Sequence, residues 1–90
     1  MKKLQPTTQY KKDYKKYRNN PKKVEALKEV LKMLMNEQPI PAEYKLHMLL
    51  DEYKGCMECH IGGDFLLIWI DEETDTIELV RLGSHSELFK

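Results

Sequence analysis

A chain of 90 residues, 41% hydrophobic and 33% charged, has room for one small globular domain. That length excludes a multidomain enzyme and most nucleotide-binding α/β folds. Its 15 basic and 15 acidic residues cancel, but unevenly: residues 1–32 hold eleven Lys/Arg against three Asp/Glu, and residues 33–90 hold four against twelve.

A basic amino-terminal third beside an acidic remainder suggests a surface that meets phosphates, or a Lys-rich helix face in solvent. The longest apolar run, residues 65–70, falls far short of the ~20 residues that span a bilayer. Gln5-Pro6-Thr7-Thr8 follows the charged start where a signal peptide would have its apolar stretch. A cytoplasmic protein without membrane contact is therefore expected.

Leu4 and its neighbours read as a short first strand. Thr7 or Thr8 is a good N-cap, so the first helix is expected to start there and run to about Arg18. Tyr10, Tyr14 and Tyr17 fall on one helical face and read as core, with Lys11, Lys12, Lys15 and Lys16 turned elsewhere as candidate RNA contacts. Asn19-Asn20 breaks the chain, and Pro21 suits the first turn of a second helix. Val24, Leu27, Leu31 and Leu34 give that helix its apolar stripe, and it stops before Pro39-Ile40-Pro41. Two helices with so short a break predict a helical hairpin.

Strands dominate the rest. Residues 53–61, 64–71 and 77–82 are the candidates, with Gly62-Gly63 as the turn between the first two. Pairing across a tight turn is expected to join Met57, Cys59 and Ile61 with Leu66, Ile68 and Ile70 as one core-facing patch. Glu58, His60 and Arg81 then lie on the opposite face, where chemistry is expected. Ser84-x-x-Glu87 is a capping-box pattern for one closing helical turn. The expected class is α+β: an amino-terminal helical hairpin packed on a small, mostly antiparallel sheet, with residues 1–90 as one domain.

All three histidines, His47, His60 and His85, lie between residues 47 and 85. Histidine titrates near neutral pH and supplies both a general base and a general acid. Arg81 offers a fixed fork for a phosphate. These are the parts of a metal-free ribonuclease, needing no cofactor. A rival pattern, Cys56-x-x-Cys59-His60, has the form of a c-type haem attachment site. On a strand its two cysteines point to opposite faces, which defeats a shared haem and hinders a tetrahedral zinc site.

Three stretches carry a resemblance. Residues 38–49, with Pro39, Tyr44, His47 and Leu49, are similar to "LPxxYxxHxL" of the YafQ-type toxins in the RelE/ParE superfamily. Residues 58–69, with His60, Asp64 and Leu66-Leu67-Ile68-Trp69, are similar to their "xxHxxxDxLLIY" strand pair, and residues 80–89 to their "RxGxHxxLF". The resemblance implies a RelE-like microbial RNase fold and a type II toxin that cleaves messenger RNA in the ribosomal A site. It also implies a cognate antitoxin, whose complex with the toxin binds operator DNA through the antitoxin. Carried over, His85 is the general acid, Asp64 or His60 the base or orienting group, and Arg81 the phosphate stabiliser. His47 positions substrate or shares proton transfer, and Phe89 stacks on a base. Lys54 joins the helical lysines as an RNA contact. The chain departs from the pattern at Leu46, where the family has Asp, at Met57, where it often has Arg, and at Cys56 and Asp51. Those departures leave a second reading open: a toxin-fold module that docks on antitoxin or ribosome without cleaving.

Overall fold

The computed structural model describes residues 1–72 and 74–89. Five strands form one sheet: β1 (Lys3–Pro6), β2 (His47–Met48), β3 (Met57–Gly62), β4 (Phe65–Asp71) and β5 (Thr76–Gly83). Their order is β1-β5-β4-β3-β2, with β1 parallel to β5 and every other pair antiparallel. The helices are α1 (Thr8–Lys15), α2 (Pro21–Met35) and the single turn α3 (His85–Leu88), with a 3-10 turn at Ala42–Tyr44. Among the described residues no helix is long and apolar enough to cross a membrane.

Local chemistry explains the helix starts. Thr7 Oγ1 accepts from the Tyr10 amide at 3.1 Å, and Asn20 Oδ1 accepts from the Lys23 amide at 3.2 Å ahead of Pro21. Each side chain satisfies one of the backbone donors that the first helical turn leaves unpaired. At Ser84 the capping box is complete in both directions.

The helix-side core joins Tyr10, Leu27, Val30 and Leu34 to Cys59, Phe65, Leu67, Trp69, Ile77, Leu79 and Leu82 of the sheet. Tyr14 and Tyr17 pack against it partly buried, as their spacing predicts, although α1 ends at Lys15 rather than near Arg18 and Tyr17 lies in the turn that follows. Helix α1 packs on β5 and α2 on β3. Between them an open apolar groove of about 570 Å³ remains, floored by Leu4, Leu27 and Leu79. The two helices thus lie on the same face of the sheet as the expected amino-terminal pair, with the groove running along their seam.

The expected strand register is corrected by one residue. Cys59 pairs with Leu67, His60 with Leu66 and Met57 with Trp69. Met57, Cys59 and Ile61 therefore share a face with Phe65, Leu67 and Trp69, whereas Leu66 and Ile68 lie on the face of Glu58 and His60. A register shift between His60 and Gly62 ahead of the Gly63-Asp64 turn produces the slip. A one-residue slip in a period-two element exchanges its faces. Leu66 and Ile68 are nonetheless buried, because Cys56, Tyr53 and Leu49 of the segment before β3, with Leu88 and Phe89 after β5, pack over them. Residues 53–56 are accordingly turn and loop, not the start of β3. Cys56 and Cys59 sit in separate clusters on opposite faces of the sheet.

Candidate active site

Strand pairing builds the site by placing distant residues in rows. His47 pairs with Glu58, Glu58 with Ile68, and Ile68 with Arg81, so these four cross the sheet in one row on one face. The next row runs His60, Leu66, Gly83. A second shift, between Ile68 and Trp69, leaves Val80 unpaired and lets both Val80 and Arg81 serve this face. Two strand spacings separate Glu58 from Arg81, and His60 from Gly83, so the two banks stand about 10 Å apart at the backbone.

On the β3 bank, Glu58 is 3% exposed. Its Oε1 lies 3.1 Å from His47 Nε2 and 3.6 Å from His60 Nε2. Its Oε2 is buried and has no hydrogen-bond partner among the described residues. His47 Nδ1 lies 2.8 Å from the Lys45 carbonyl. A carbonyl only accepts, so Nδ1 carries a proton and a neutral His47 turns its Nε2 lone pair toward the carboxylate. Two acceptors at 3.1 Å repel unless a proton lies between them. The 3.1 Å separation suits an imidazole N–H donating to the carboxylate, and the second histidine ring lies 6.2 Å from the first.

On the β5 bank, Arg81 donates from Nε to Asp13 Oδ2 at 2.8 Å and from Nη2 to Oδ1 at 3.3 Å. Its Nη1 donates to Tyr53 Oη at 2.9 Å, and that hydroxyl donates to the Leu88 carbonyl at 3.0 Å. The Asp13 hydrogen bond and charge hold the guanidinium protonated above its ordinary range, outweighing partial burial. His85 opens α3 with its amide donating to Asp64 Oδ1 at 2.8 Å, and its ring lies 4.9 Å from that of Phe89. Phe89 in turn meets Tyr53 edge-on at 5.4 Å. Glu87 ties α3 to the turn after α1 by accepting from the Tyr17 hydroxyl, and also accepts from the Ser84 amide. Those bonds, the tyrosine's first, hold the Glu87 carboxyl down to about 2, while burial and Glu87 push the Tyr17 hydroxyl up to about 12.

The structure thus brings His47 and His60 together around Glu58. It gathers Asp64, His85 and Phe89 around α3, and places Arg81 between Asp13 and Tyr53. Asp64 touches the backbone of His85 rather than a histidine ring. Of the lysines, Lys16 lies 3.5 Å from Glu87 and so borders α3, and Lys54 is exposed beside Tyr53. Lys11 and Lys15 line the groove between α1 and α2, and Lys12 is exposed. Met57 packs against the helix-side core and so stands outside the site, while Leu46 is 42% exposed.

Three contributors escape a reading of the sequence as a site: Glu58, Asp13 and Tyr53. Only Glu58 left a signal, by sharing the strand face of His60. His47, Glu58 and His60 are the nearest approach to a ligand set, yet among the described residues no group of three or more His, Cys, Asp or Glu is arranged to hold a metal ion.

Comparison with known proteins identifies the fold and the family. The sequence model of the family described as "Bacterial toxin of type II toxin-antitoxin system, YafQ" matches residues 2–90. The mRNA interferase toxin YafQ of Escherichia coli is 36% identical over 83 residues, 90% of this chain and 88% of its own. YafQ in the E. coli DinJ–YafQ complex superposes with a TM-score of 0.87 at 30% identity, covering all of both chains. A metal-bound toxin from Helicobacter pylori superposes with a TM-score of 0.87 at 38% identity, over 99% of this chain and 100% of that one. The RelE-like α+β architecture, the family match along nearly the whole length and the related curated toxin converge: the chain belongs to the YafQ family of toxins of bacterial type II toxin–antitoxin systems.

Proposed function

We propose that residues 1–90 act as one toxin domain, an endoribonuclease that cuts messenger RNA in the ribosomal A site by acid–base chemistry without a metal. The observation that carries this reading is the buried Glu58 carboxylate between two histidines, about two strand spacings from Arg81, with His85 following Gly83 at the end of the same strand. On the β3 bank the Glu58–His47–His60 cluster takes the proton of the ribose 2′-hydroxyl. The 2′-oxygen attacks phosphorus, the bond from phosphorus to the 5′-oxygen breaks, and His85 gives that oxygen a proton. A 2′,3′-cyclic phosphate and a 5′-hydroxyl result. Arg81 stabilises the phosphorane by charge-assisted hydrogen bonds. Asp64 orients His85 through its amide, and Phe89 stacks on a neighbouring base. Each proton transfer contributes about 10²- to 10⁴-fold.

The E. coli relative is named an mRNA interferase and its toxin is seen with DinJ, so a cognate antitoxin that covers this face is the expected partner. A messenger RNA substrate places the reaction in the cytoplasm. Primer extension on ribosome-bound mRNA tests the reading with wild type and His85→Ala side by side, the toxin having been dialysed against EDTA and freed of it before it meets the ribosome. Cuts by the wild type alone support it, with the variant reduced at least 100-fold. No cuts by either, with ribosome binding intact, move the assignment to a docking module that does not cleave. Cuts that vanish when the toxin is stripped in this way, and return when a transition metal is added back, refute the metal-free step.

A further inference from the structure

Asp13 is the more buried of the two buried carboxylates, 1% exposed, and it sits on α1, outside the three sequence stretches that resemble known toxins. Its four hydrogen bonds all serve one end of the site. Oδ2 accepts from Arg81 Nε and from the Leu82 amide at 3.0 Å; Oδ1 accepts from Arg81 Nη2 and from Gln9 Nε2 at 3.1 Å. β1 pairs with β5 only as far as Leu79, so beyond that point β5 has an open edge. There α1 stands in for a strand: the Thr7 hydroxyl donates to the Val80 carbonyl, and Asp13 takes the Leu82 amide. The same carboxylate therefore fixes both the strand that carries Arg81 and the guanidinium itself.

We propose that Asp13 is the positioning residue of the active-site arginine, with Tyr53 as the second jaw of the clamp. The proposal rests on the ribonuclease reading above. Of the five guanidinium N–H groups, Asp13 and Tyr53 take three, leaving one on each terminal nitrogen for a phosphate oxygen. Asp13 also cancels the charge of Arg81. Arg81 then acts on the substrate through two aimed hydrogen bonds rather than as a loose cation, which favours the transition state over ground-state RNA. An unclamped arginine does the reverse: it attracts RNA and stabilises the phosphorane poorly.

The test is Asp13→Asn, which keeps the side chain's shape and one oxygen acceptor. With ribosome-bound mRNA as substrate, kcat should fall at least tenfold while KM stays level or drops. The salt dependence of KM should steepen by up to about 0.7 in log–log slope, the increment for one more phosphate contact to a single strand. In an Arg81→Gln background, Asp13→Asn should change kcat no further. A merely structural Asp13 lowers the folded fraction and leaves KM and the salt slope alone, and that result, or additive effects in the cycle, overturns the proposal. Should Asp13→Asn fail to fold, Tyr53→Phe tests the other jaw: kcat falls several-fold at constant KM, and an unchanged kcat counts against the clamp. Nitrogen-15 NMR of the Arg81 Nε–H supplies a readout independent of cleavage. Its hydrogen exchange should quicken at least tenfold when Asp13 becomes Asn. Unchanged exchange refutes the clamp, whereas a wild type that never cuts RNA refutes only the ribonuclease reading.

Discussion

Replacing Glu58 by Gln should make the protein more stable and nearly inactive. The carboxylate is 3% exposed, and its Oε2 has no partner among the described residues. Leaving a buried acceptor unsatisfied costs about 1–3 kcal/mol, more when it is charged. Against that stands the contact to His47, whose side chain is 47% exposed, so the pair contributes about 0.2–1 kcal/mol. Gln loses the charge and gains a donor. Its amide can point N–H at the His47 Nε2 lone pair, because His47 Nδ1 already gives its proton to the Lys45 carbonyl. Removing one partner does not strand the other, since His47 remains in water. The net gain is about 1 kcal/mol, or about 4–8 °C in Tm for a chain of this size. Cleavage should drop about 10²- to 10⁴-fold, because an amide cannot take a proton from a 2′-hydroxyl or share one with an imidazole. Thermal unfolding followed by circular dichroism, beside primer extension on ribosome-bound mRNA, reads both quantities from one preparation. A Tm lowered by several degrees with cleavage intact would refute the reasoning. In that case Glu58 would be a structural ion-pair member and the proton store would lie elsewhere.

Two further outcomes follow from the carboxy-terminal turn. Gly83→Ala should destabilise by about 1–3 kcal/mol, since Gly83 has φ +157° and an added Cβ would stand 3.1 Å from Glu87 Oε1; a Tm within 2 °C of wild type in a melting scan would contradict it. Acid should release α3. The Glu87 carboxyl is depressed from 4.5 to about 2, so the stability it contributes is present above about pH 4.5 and is lost as the pH falls toward 2. Acid titrations of wild type and Glu87→Gln should therefore diverge above about pH 4.5 and converge near pH 2; parallel curves throughout would show that Glu87 does not latch the turn.

Much of this architecture is legible from residue spacing, and the misses have physical causes. Threonine and asparagine caps, a proline at the start of α2 and a capping box at Ser84 act within four residues, so their effects show in the sequence. The register of β3 on β4 depends instead on an irregularity between His60 and Gly62. Nothing in the sequence Gly62-Gly63-Asp64 distinguishes a symmetric turn from a shifted one. Leu66 and Ile68 then change sides, and only residues 49–56 with Leu88 and Phe89 keep them dry. His47, His60, Asp64, Arg81, His85 and Phe89 are visible through the resemblance, and the structure distributes them over two banks. Glu58 and Asp13 are harder to see because acidic residues usually face water. Asp13 reveals itself only through Arg81, 68 positions away.

That pairing also changes the meaning of the charge asymmetry. Asp13 is one of three acids in the basic first 32 residues, and Arg81 is one of four cations in the acidic remainder. Each half thus gives up one of its minority charges to the other, in an ion pair whose carboxylate is enclosed. The pairs that follow the majority pattern, Lys2 with Asp71 and Lys16 with Glu87, lie at least partly in water, where such contacts contribute about 0.2–1 kcal/mol. The Asp13–Arg81 bridge therefore does what net charge cannot: it selects one orientation of α1 against β5 and aims one side chain into the site. The lysines of α1, which form no ion pair among the described residues, remain a diffuse field, suited to drawing RNA or ribosome nearer at low salt and poor at choosing a scissile phosphate. Attraction and aim are assigned to different residues of the same helix, so a lysine substitution should be felt in encounter and an Asp13 substitution in chemistry.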